Sequence, residues 1–245
     1  MNYVPFMKML DYAALAYSDC PQSGRLPWLH FESSPNGVQF LIGRNPFERQ
    51  TVISFRGTDS LQDLLTDLRF WKKHIPYDSM SRSSKIRVHS GFCRAYQHPR
   101  VRDFILKFLH GSSDKILVVG HSYGAALAML CALDIQYNYP HREIEAAVFG
   151  CPRIGNSNFR ESYNRRVQRT IRFENGNDLV TKIPPWLFGF RHAGAELHIG
   201  FMRLFGVYAG SDHALENYKK SLMPFAENAE HEVDNRQNKD DCGTA

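Results

Sequence analysis

The stretch ILVVGHSYGAALAMLCAL covers residues 116–133. Its first four residues are apolar and favour a buried strand, whereas the run from Ala125 onward consists largely of good helix formers. The chain between them must turn sharply, and Ser122 lies in the middle of that turn. Gly120 and Gly124 flank the serine and lack the Cβ atoms that would collide as strand and helix approach each other. This order predicts an exposed Ser122 hydroxyl, as a nucleophilic serine requires, although a simple glycine-rich turn has the same pattern.

A nucleophilic serine needs a base, and the base needs an acid that orients it. Asp178 follows a strand-like run at residues 170–173, which places it in a loop at the carboxyl end of a strand, where open α/β sheets bind their ligands. An Asx-turn within this asparagine- and glycine-rich loop is the alternative role for Asp178. His213 lies where a glycine-containing loop meets a short final helix, and a solvated histidine is the alternative there. His192 and His198 lie between the two and are rival bases.

Five stretches agree with one another in their order and their gaps. They are FRGT at residues 55–58, HSGF at 89–92, GHSYG at 120–124, FGCPRIGN at 149–156 and NDLVTKIPP at 177–185. Together they resemble the successive motifs of class 3 lipases, the family of the fungal triacylglycerol lipases, and the resemblance runs from about Asp11 to Tyr218. It implies an α/β-hydrolase fold and a serine ester hydrolase that cleaves lipid esters through an acyl-enzyme intermediate, with no cofactor.

The resemblance also implies a role for each site residue. Ser122 is expected to be the nucleophile, Asp178 the acid and His213 the base, because the segment around His213 is similar to the family's terminal histidine segment. Thr58 and the backbone of Tyr123 are expected to form the oxyanion hole, with a hydroxyl that bonds within its own turn as the alternative for Thr58. In the fungal members, the chain between the acid and the base is longer than it is here.

Four other histidines have weaker claims to a catalytic role. The resemblance gives a histidine at the position of His192 as common but not catalytic. His198 alternates with apolar neighbours in a predicted strand and would point to a face of the sheet. His89 and His121 are expected to pack or to form hydrogen bonds beside the site.

Leu61, Leu64, Leu65 and Leu68 fall on one face of a predicted helix that follows Thr58 directly. The resemblance makes this the position of the lipase lid, which would shield the acyl pocket in water and open at a lipid surface. The opposite face of the helix is polar. An immobile surface helix packed on the core therefore has the same pattern and is the alternative.

Length and composition indicate one domain, since the chain has 245 residues and no low-complexity linker. Short apolar runs alternate with helical stretches such as Val101–Leu109, which predicts a mostly parallel central sheet flanked by helices. The runs are Val38–Ile42, Val52–Phe55, Ile116–Val119, Ala146–Phe149 and Thr170–Phe173. Residues 1–20 are predicted to form a first helix. We expect a single domain over residues 1–225 and an acidic, disordered tail over residues 226–245.

The formal net charge is +5. Between Arg69 and Arg87 there are six basic residues and one acidic residue, a composition that favours an anionic membrane surface or phospholipid head groups, with a solvated basic loop as the alternative. No nucleic-acid-binding module accompanies the charge, and no metal-ligand spacing is apparent. The expected partner is a lipid ester substrate, with peripheral association at a membrane or lipid-droplet surface, and not a nucleic acid.

Residues 1–20 lack the continuous apolar segment of a signal peptide, and no run is long enough to span a membrane. The five cysteines are an odd number and show no paired framework. We therefore expect a cytoplasmic protein. Unconventional export, with a disulfide between Cys20 and Cys242, is the alternative.

The expected activity is that of an acylglycerol lipase. Phospholipase A1 activity is the alternative among enzymes, suggested by the basic stretch. A lipase-like signalling protein that binds a partner without hydrolysis is an alternative from another class. The intact set of Ser122, Asp178 and His213 argues against it, because a scaffold does not need all three.

Overall fold

The computed structural model describes residues 4–18, 26–58, 71–75, 85–202 and 210–226. Its strands are β1 (Leu29–Ser33), β2 (Gln39–Asn45), β3 (Gln50–Phe55), β4 (Lys72–His74), β5 (Arg87–His89), β6 (Lys115–His121), β7 (Ile144–Phe149), β8 (Arg169–Asn175) and β9 (Ala195–Ile199). Its α-helices are α1 (Val4–Leu15), α2 (Ser90–Tyr96), α3 (Pro99–Leu109), α4 (Tyr123–Asn138), α5 (Ser157–Arg166) and α6 (215–226). Short 3-10 helices lie at Val180–Lys182, Trp186–Phe188 and Gly210–His213.

Seven strands form one sheet in the order β1-β2-β3-β6-β7-β8-β9. β1, β2 and β3 pair antiparallel, whereas the pairs β3–β6, β6–β7, β7–β8 and β8–β9 are parallel. The carboxyl ends of the parallel strands therefore meet along one edge of the sheet, hereafter the carboxyl edge. Strands β4 and β5 form a separate antiparallel ribbon. The mostly parallel sheet confirms the predicted α/β class.

Both faces of the sheet are covered. Val118 and Val148 pack into the apolar cluster that contains α4, whereas Val119 and Phe149 pack into the cluster that contains α1 and α6. Parallel strands that are buried on both faces need apolar residues at nearly every position, which explains their continuous apolar runs. Helix α4 is buried from Gly124 to Ile135 because it is apolar on all sides.

The five predicted apolar runs lie on strands β2, β3, β6, β7 and β8, and the helix predicted at Val101–Leu109 lies within α3. The predicted first helix is present as α1, although it ends at Leu15, earlier than expected. Residues 227–245 lie outside the described residues, so the acidic tail stays a prediction.

Three of the cysteines, Cys93, Cys131 and Cys151, are buried and not disulfide-bonded. Burial raises the pKa of the Cys151 thiol to about 12, so the group stays protonated and packs as a small apolar side chain. Cys20 and Cys242 lie outside the described residues. Among the helices that the structure describes, none has the length and apolar character needed to cross a membrane.

Candidate active site

Ser122 occupies a strained turn between β6 and α4. Its φ of 58° and ψ of −126° lie in a region that L-residues rarely adopt, and its N–H donates to the Phe149 carbonyl at 2.9 Å. A Cβ atom on Gly120 would lie 2.4 Å from the Gly124 carbonyl oxygen, and a Cβ on Gly124 would lie 2.3 Å from the Phe55 carbonyl oxygen. Only glycine fits at these two positions, as the sequence predicts.

The Ser122 side chain is less accessible than predicted, because the residue is only 2% exposed. Its hydroxyl bonds to a buried histidine instead of pointing into solvent. The Oγ atom lies 2.8 Å from Nε2 of His213, and Nδ1 of His213 lies 2.8 Å from Oδ2 of Asp178. An ionised carboxylate can only accept, so Nδ1 carries the proton and Nε2 is left to accept from the serine hydroxyl. The structure thus brings together the serine, histidine and aspartate that the sequence predicts.

The Asp178 carboxylate is fully buried and receives hydrogen bonds at both oxygens. The Tyr218 hydroxyl donates to Oδ2 at 2.7 Å, and the Val180 N–H donates to Oδ1 at 2.8 Å. Burial alone would raise the pKa of Asp178, but the hydrogen bond and charge of His213, with the bonds from Tyr218 and Val180, lower the pKa below its usual value. The carboxylate is therefore ionised at neutral pH and stabilises a protonated His213.

His121, the residue before the serine, holds the backbone of His213. Its Nε2–H donates to the His213 carbonyl at 2.8 Å, and its Nδ1 accepts from the Tyr17 hydroxyl at 2.8 Å. The two imidazole rings stack with centroids 4.6 Å apart. Burial and the neighbouring charge of His213 lower the pKa of His121 to about 3, so this ring stays neutral. It therefore forms hydrogen bonds beside the site, as predicted.

Gly150 lies beside both the acid and the base, a position that the sequence alone does not predict. Its φ is 58°, and a Cβ built on it would lie 2.9 Å from Asp178 Oδ2 and 2.9 Å from His213 Nδ1. Gly150 directly follows β7 in the FGCPRIGN stretch. A glycine at the carboxyl end of a strand permits the close approach of other groups, so this position could have indicated its role.

A second set of contacts ties the loop of the base to the loop of the acid. The Asn177 N–H donates to the Asp212 carboxylate at 3.0 Å, and the Asn175 side-chain amide donates to the Asp212 carbonyl at 2.9 Å. Asn175 also accepts from the Ser221 hydroxyl at 2.7 Å. His213 is thus positioned by residues on β8, on the acid loop and on α6. Its neighbour Asp212 offered no sequence signal except adjacency to a histidine.

The rival histidines make other contacts. His192 donates from Nε2 to the Thr181 carbonyl at 2.7 Å, and Thr181 in turn donates to the Asp178 carbonyl at 2.8 Å. Partial burial, together with the charges of Arg172 and Arg153, lowers the pKa of His192 to about 2. His198 lies on β9 as predicted.

The predicted oxyanion residues lie at the carboxyl edge. Tyr123 is the first residue of α4, so its N–H lies at the positive end of the helix dipole, and its ring packs against Phe92 at 5.6 Å. Thr58 is exposed and follows β3, whose last carbonyl closely approaches Gly124 at the start of α4. The leucines of the predicted lid, residues 61–68, lie outside the described residues. The residues that the structure does describe contain no cluster of three or more side chains suited to hold a metal ion.

Comparisons with known proteins agree with this geometry. The model of the class 3 lipase family matches residues 52–188, more than half of the chain. A lipase of Rhizomucor miehei is 34% identical over 169 residues, which cover 65% of this chain and 44% of the relative. A chloroplastic phospholipase A(1) of Arabidopsis thaliana is 32% identical over 151 residues, which cover 56% of this chain and 34% of the relative. The chain thus spans half or less of these relatives' length.

Solved structures give the same result for the fold. One of them is a triacylglycerol lipase whose catalytic centre is a serine protease triad. It superposes with a TM-score of 0.65 at 26% identity, with 80% of each chain covered. The predicted α/β-hydrolase fold is confirmed by this likeness together with the sheet order described above.

The cytoplasmic location expected from the sequence is wrong. The relatives include a secreted mono- and diacylglycerol lipase of Malassezia restricta, 31% identical over 154 residues, which cover 60% of this chain and 51% of the relative. This conflicts with the expected cytoplasmic location, which rested on the composition of residues 1–20 and on an odd cysteine count. Neither feature identifies a compartment. The matched family model and the serine, histidine and aspartate in hydrogen-bond contact lead to one assignment: the chain belongs to the class 3 lipase family.

Proposed function

We propose that this protein hydrolyses the carboxylic esters of lipids through an acyl-enzyme intermediate. Ser122 is the nucleophile, His213 the general base and Asp178 the acid that orients the base. The observation that carries the proposal is the continuous chain of two 2.8 Å hydrogen bonds from the Ser122 hydroxyl to the Asp178 carboxylate. All three residues lie on loops or turns at the carboxyl edge of a single sheet, which also supports one catalytic domain over residues 1–225.

Each step follows from the direction of these bonds. As the Ser122 oxygen attacks the ester carbonyl, its proton passes to Nε2 of His213, and the ionised Asp178 stabilises the imidazolium that forms. His213 then gives the proton to the departing alcohol, which leaves an acyl group on Ser122. The same nitrogen then deprotonates a water molecule, which attacks the acyl carbonyl. The bond to Ser122 breaks, the fatty acid is released, and His213 returns the proton to the serine oxygen.

The negative charge that develops on the carbonyl oxygen needs hydrogen-bond donors. We assign this role to the backbone N–H of Tyr123 and to Thr58. The helix dipole of α4 favours an anion at Tyr123, and Thr58 follows a strand that lies directly beside the first turn of that helix. Loss of one such donor typically costs about 3 kcal/mol of transition-state stabilisation.

Labelling with a fluorophosphonate, followed by intact-mass measurement, tests the nucleophile. The protein should gain one phosphonyl group, and Ser122→Ala should abolish both the labelling and the hydrolysis of a dissolved ester. Ser112→Ala is the matched control, because this serine lies beyond the opposite end of the sheet and should be silent. Labelling that persists in Ser122→Ala would contradict the assignment. A protein that binds lipid but neither labels nor hydrolyses would instead be the non-catalytic alternative.

The base is tested separately. His213→Ala should remove about as much activity as Ser122→Ala, because members of a triad act as a unit and their losses do not add. His192→Ala should be milder, since the hydrogen bond of His192 goes to the Thr181 carbonyl in the acid loop and not to Ser122. The opposite ranking would transfer the role to His192.

Phospholipase A1 activity is the second candidate. Two observations favour it, the likeness to a plant phospholipase A(1) and the basic residues Lys72, Arg87 and Arg191 near the carboxyl edge. Parallel assays with triacylglycerol and with phosphatidylcholine of matched acyl chains separate the two substrates. We also propose that the protein acts while peripherally bound to a lipid surface.

A further inference from the structure

Large apolar side chains are exposed near the proposed active site. In the described part of the chain they include Trp71, Trp186, Leu187, Phe188, Phe201 and Met202, which are 52% to 83% exposed. The last five follow β8 or β9, on the carboxyl side of the sheet. Clusters of this kind mark surfaces that bind a partner or a membrane, because exposed aromatic groups are unfavourable in water.

Two basic side chains join Trp71 and the loop at residues 186–188 into one surface. The Lys72 ammonium donates to the Phe188 carbonyl and lies 4.3 Å from the centroid of the Phe190 ring. The Arg191 guanidinium donates to the Trp186 carbonyl at 2.8 Å. We call this the aromatic-basic surface and define it as Trp71, Lys72, Trp186, Leu187, Phe188 and Arg191.

Among the residues that the structure describes, no nearby acid balances the charge of this surface. Partial burial, with the positive charges of Arg87 and Arg191, lowers the pKa of Lys72, so each of these two guanidinium groups repels the Lys72 ammonium. Within the described residues, no carboxylate lies within salt-bridge distance of any of the three. An anionic surface would relieve this repulsion, whereas a neutral one would not.

The surface is also close to the proposed nucleophile. The Phe190 ring lies 6.3 Å from His89, whose ring lies 4.4 Å from Phe92. Phe92 packs at 5.6 Å against Tyr123, the residue after Ser122. A lipid head group held on the surface would therefore lie a few side chains away from the serine.

We propose that the aromatic-basic surface binds membranes that contain anionic phospholipids, and so presents lipid esters to Ser122. Trp186, Leu187 and Phe188 enter the boundary between head groups and acyl chains, while Lys72 and Arg191 contact the phosphates. The inference rests on the proposed function in one respect, since it takes a lipid ester as the substrate.

The test measures binding to vesicles, with Ser122→Ala as the parent protein so that no lipid is consumed. Sedimentation with phosphatidylcholine vesicles, with and without phosphatidylglycerol, gives the partition coefficient. We expect clear binding only when phosphatidylglycerol is present. Lys72→Gln should weaken it about fivefold, the effect of one cation near an anionic surface, and Lys72→Arg should restore it. Trp186→Ser with Leu187→Ser should weaken it by about tenfold or more.

Two matched controls lie far from the surface. Phe47→Ser removes an apolar side chain that is 91% exposed in the turn between β2 and β3, at the opposite end of the sheet. Lys107→Gln removes an exposed cation on α3. Neither should change the partition coefficient. Thermal midpoints of all variants should match the parent, which excludes loss of folding as the cause.

Equal binding to vesicles with and without phosphatidylglycerol would overturn the proposal, and so would equal losses in the surface variants and in the controls. Failure of the proposed function would give a different experimental result. The wild-type protein would then neither label with fluorophosphonate nor hydrolyse a dissolved ester, while vesicle binding and its dependence on Lys72 and Trp186 remained intact.

Discussion

Replacement of Gly150 with alanine should lower the activity strongly, while it destabilises the folded state by little more than the strain of a left-handed alanine. A Cβ at this position lies 2.9 Å from Asp178 Oδ2 and from both Cε1 and Nδ1 of His213, whereas ordinary contacts span 3.4–4 Å. The acid and the base would each move by about 0.5 Å or more, and a misplacement of about 1 Å costs roughly 100-fold in rate. We therefore expect kcat/KM for a dissolved short-chain ester to fall by about 10- to 100-fold.

Gly111→Ala is the matched control, because Gly111 also has a positive φ, 75°, but a Cβ there has nothing within 4 Å. Both variants carry the cost of a left-handed alanine, about 1–2 kcal/mol. In a chain of this size that lowers the thermal midpoint by about 2–8 °C. Gly111→Ala should show this loss with unchanged kcat/KM. Equal activity in the two variants would refute the reasoning, since it would mean that the contact with the acid and the base does not matter.

Three further predictions concern stability and the lid. Tyr218→Phe removes a buried hydrogen bond to the ionised Asp178 and should lower the free energy of unfolding at pH 7 by about 1.5–3 kcal/mol, measured in urea. The pKa of Asp178 is lower in the folded protein than in the unfolded chain. The ionised carboxylate therefore stabilises the folded state above the unfolded pKa, and this stabilisation is lost as the pH falls through the folded pKa. The difference in unfolding free energy between Tyr218→Phe and the parent should accordingly shrink in acid. The pKa of His121 is about 3 in the folded protein and 6.5 in the unfolded chain, so stability should fall as the pH drops from 6.5 towards 3, and His121→Gln should show a shallower fall in urea titrations at several pH values. Leu64→Ser with Leu65→Ser should lower activity on emulsified long-chain esters more than on dissolved short ones if these residues form a lid, whereas a large drop in thermal midpoint with an unchanged activity ratio would indicate a fixed core helix.

The central strands could be predicted because their apolar runs are continuous. β6 and β7 are buried on both faces, so nearly every position carries the signal. β1 is an edge strand in which only Leu29 is buried, and its sequence LHFES shows no continuous apolar run. β4 and β5 have three residues each, too few for any periodicity. For this reason the three strands could not be predicted from the sequence.

The residues of the candidate site could likewise be predicted only in part. Ser122 could be placed from local sequence, because the turn that carries it needs Gly120 and Gly124 at fixed spacing. Asp178 and His213 could be placed by resemblance to a family. The residues that hold them in position could not, since a contact such as that of Gly150 with His213 joins loops from separate strands. Such contacts depend on where the chain returns to the carboxyl edge and leave no local pattern.

The hydrogen bond from His121 to the His213 carbonyl affects how far the chain between Asp178 and His213 can vary. His213 is held by β6 through His121 and by the acid loop through Asp212, and both attachments lie within three residues of Ser122 or Asp178. The position of the imidazole is thus fixed by these two contacts and does not depend on the path of the chain between Asp178 and His213. We therefore expect insertions and deletions in the chain between Asp178 and His213 to be tolerated as long as these two contacts form. The short separation of 35 residues between Asp178 and His213 is therefore compatible with the alignment of base and nucleophile.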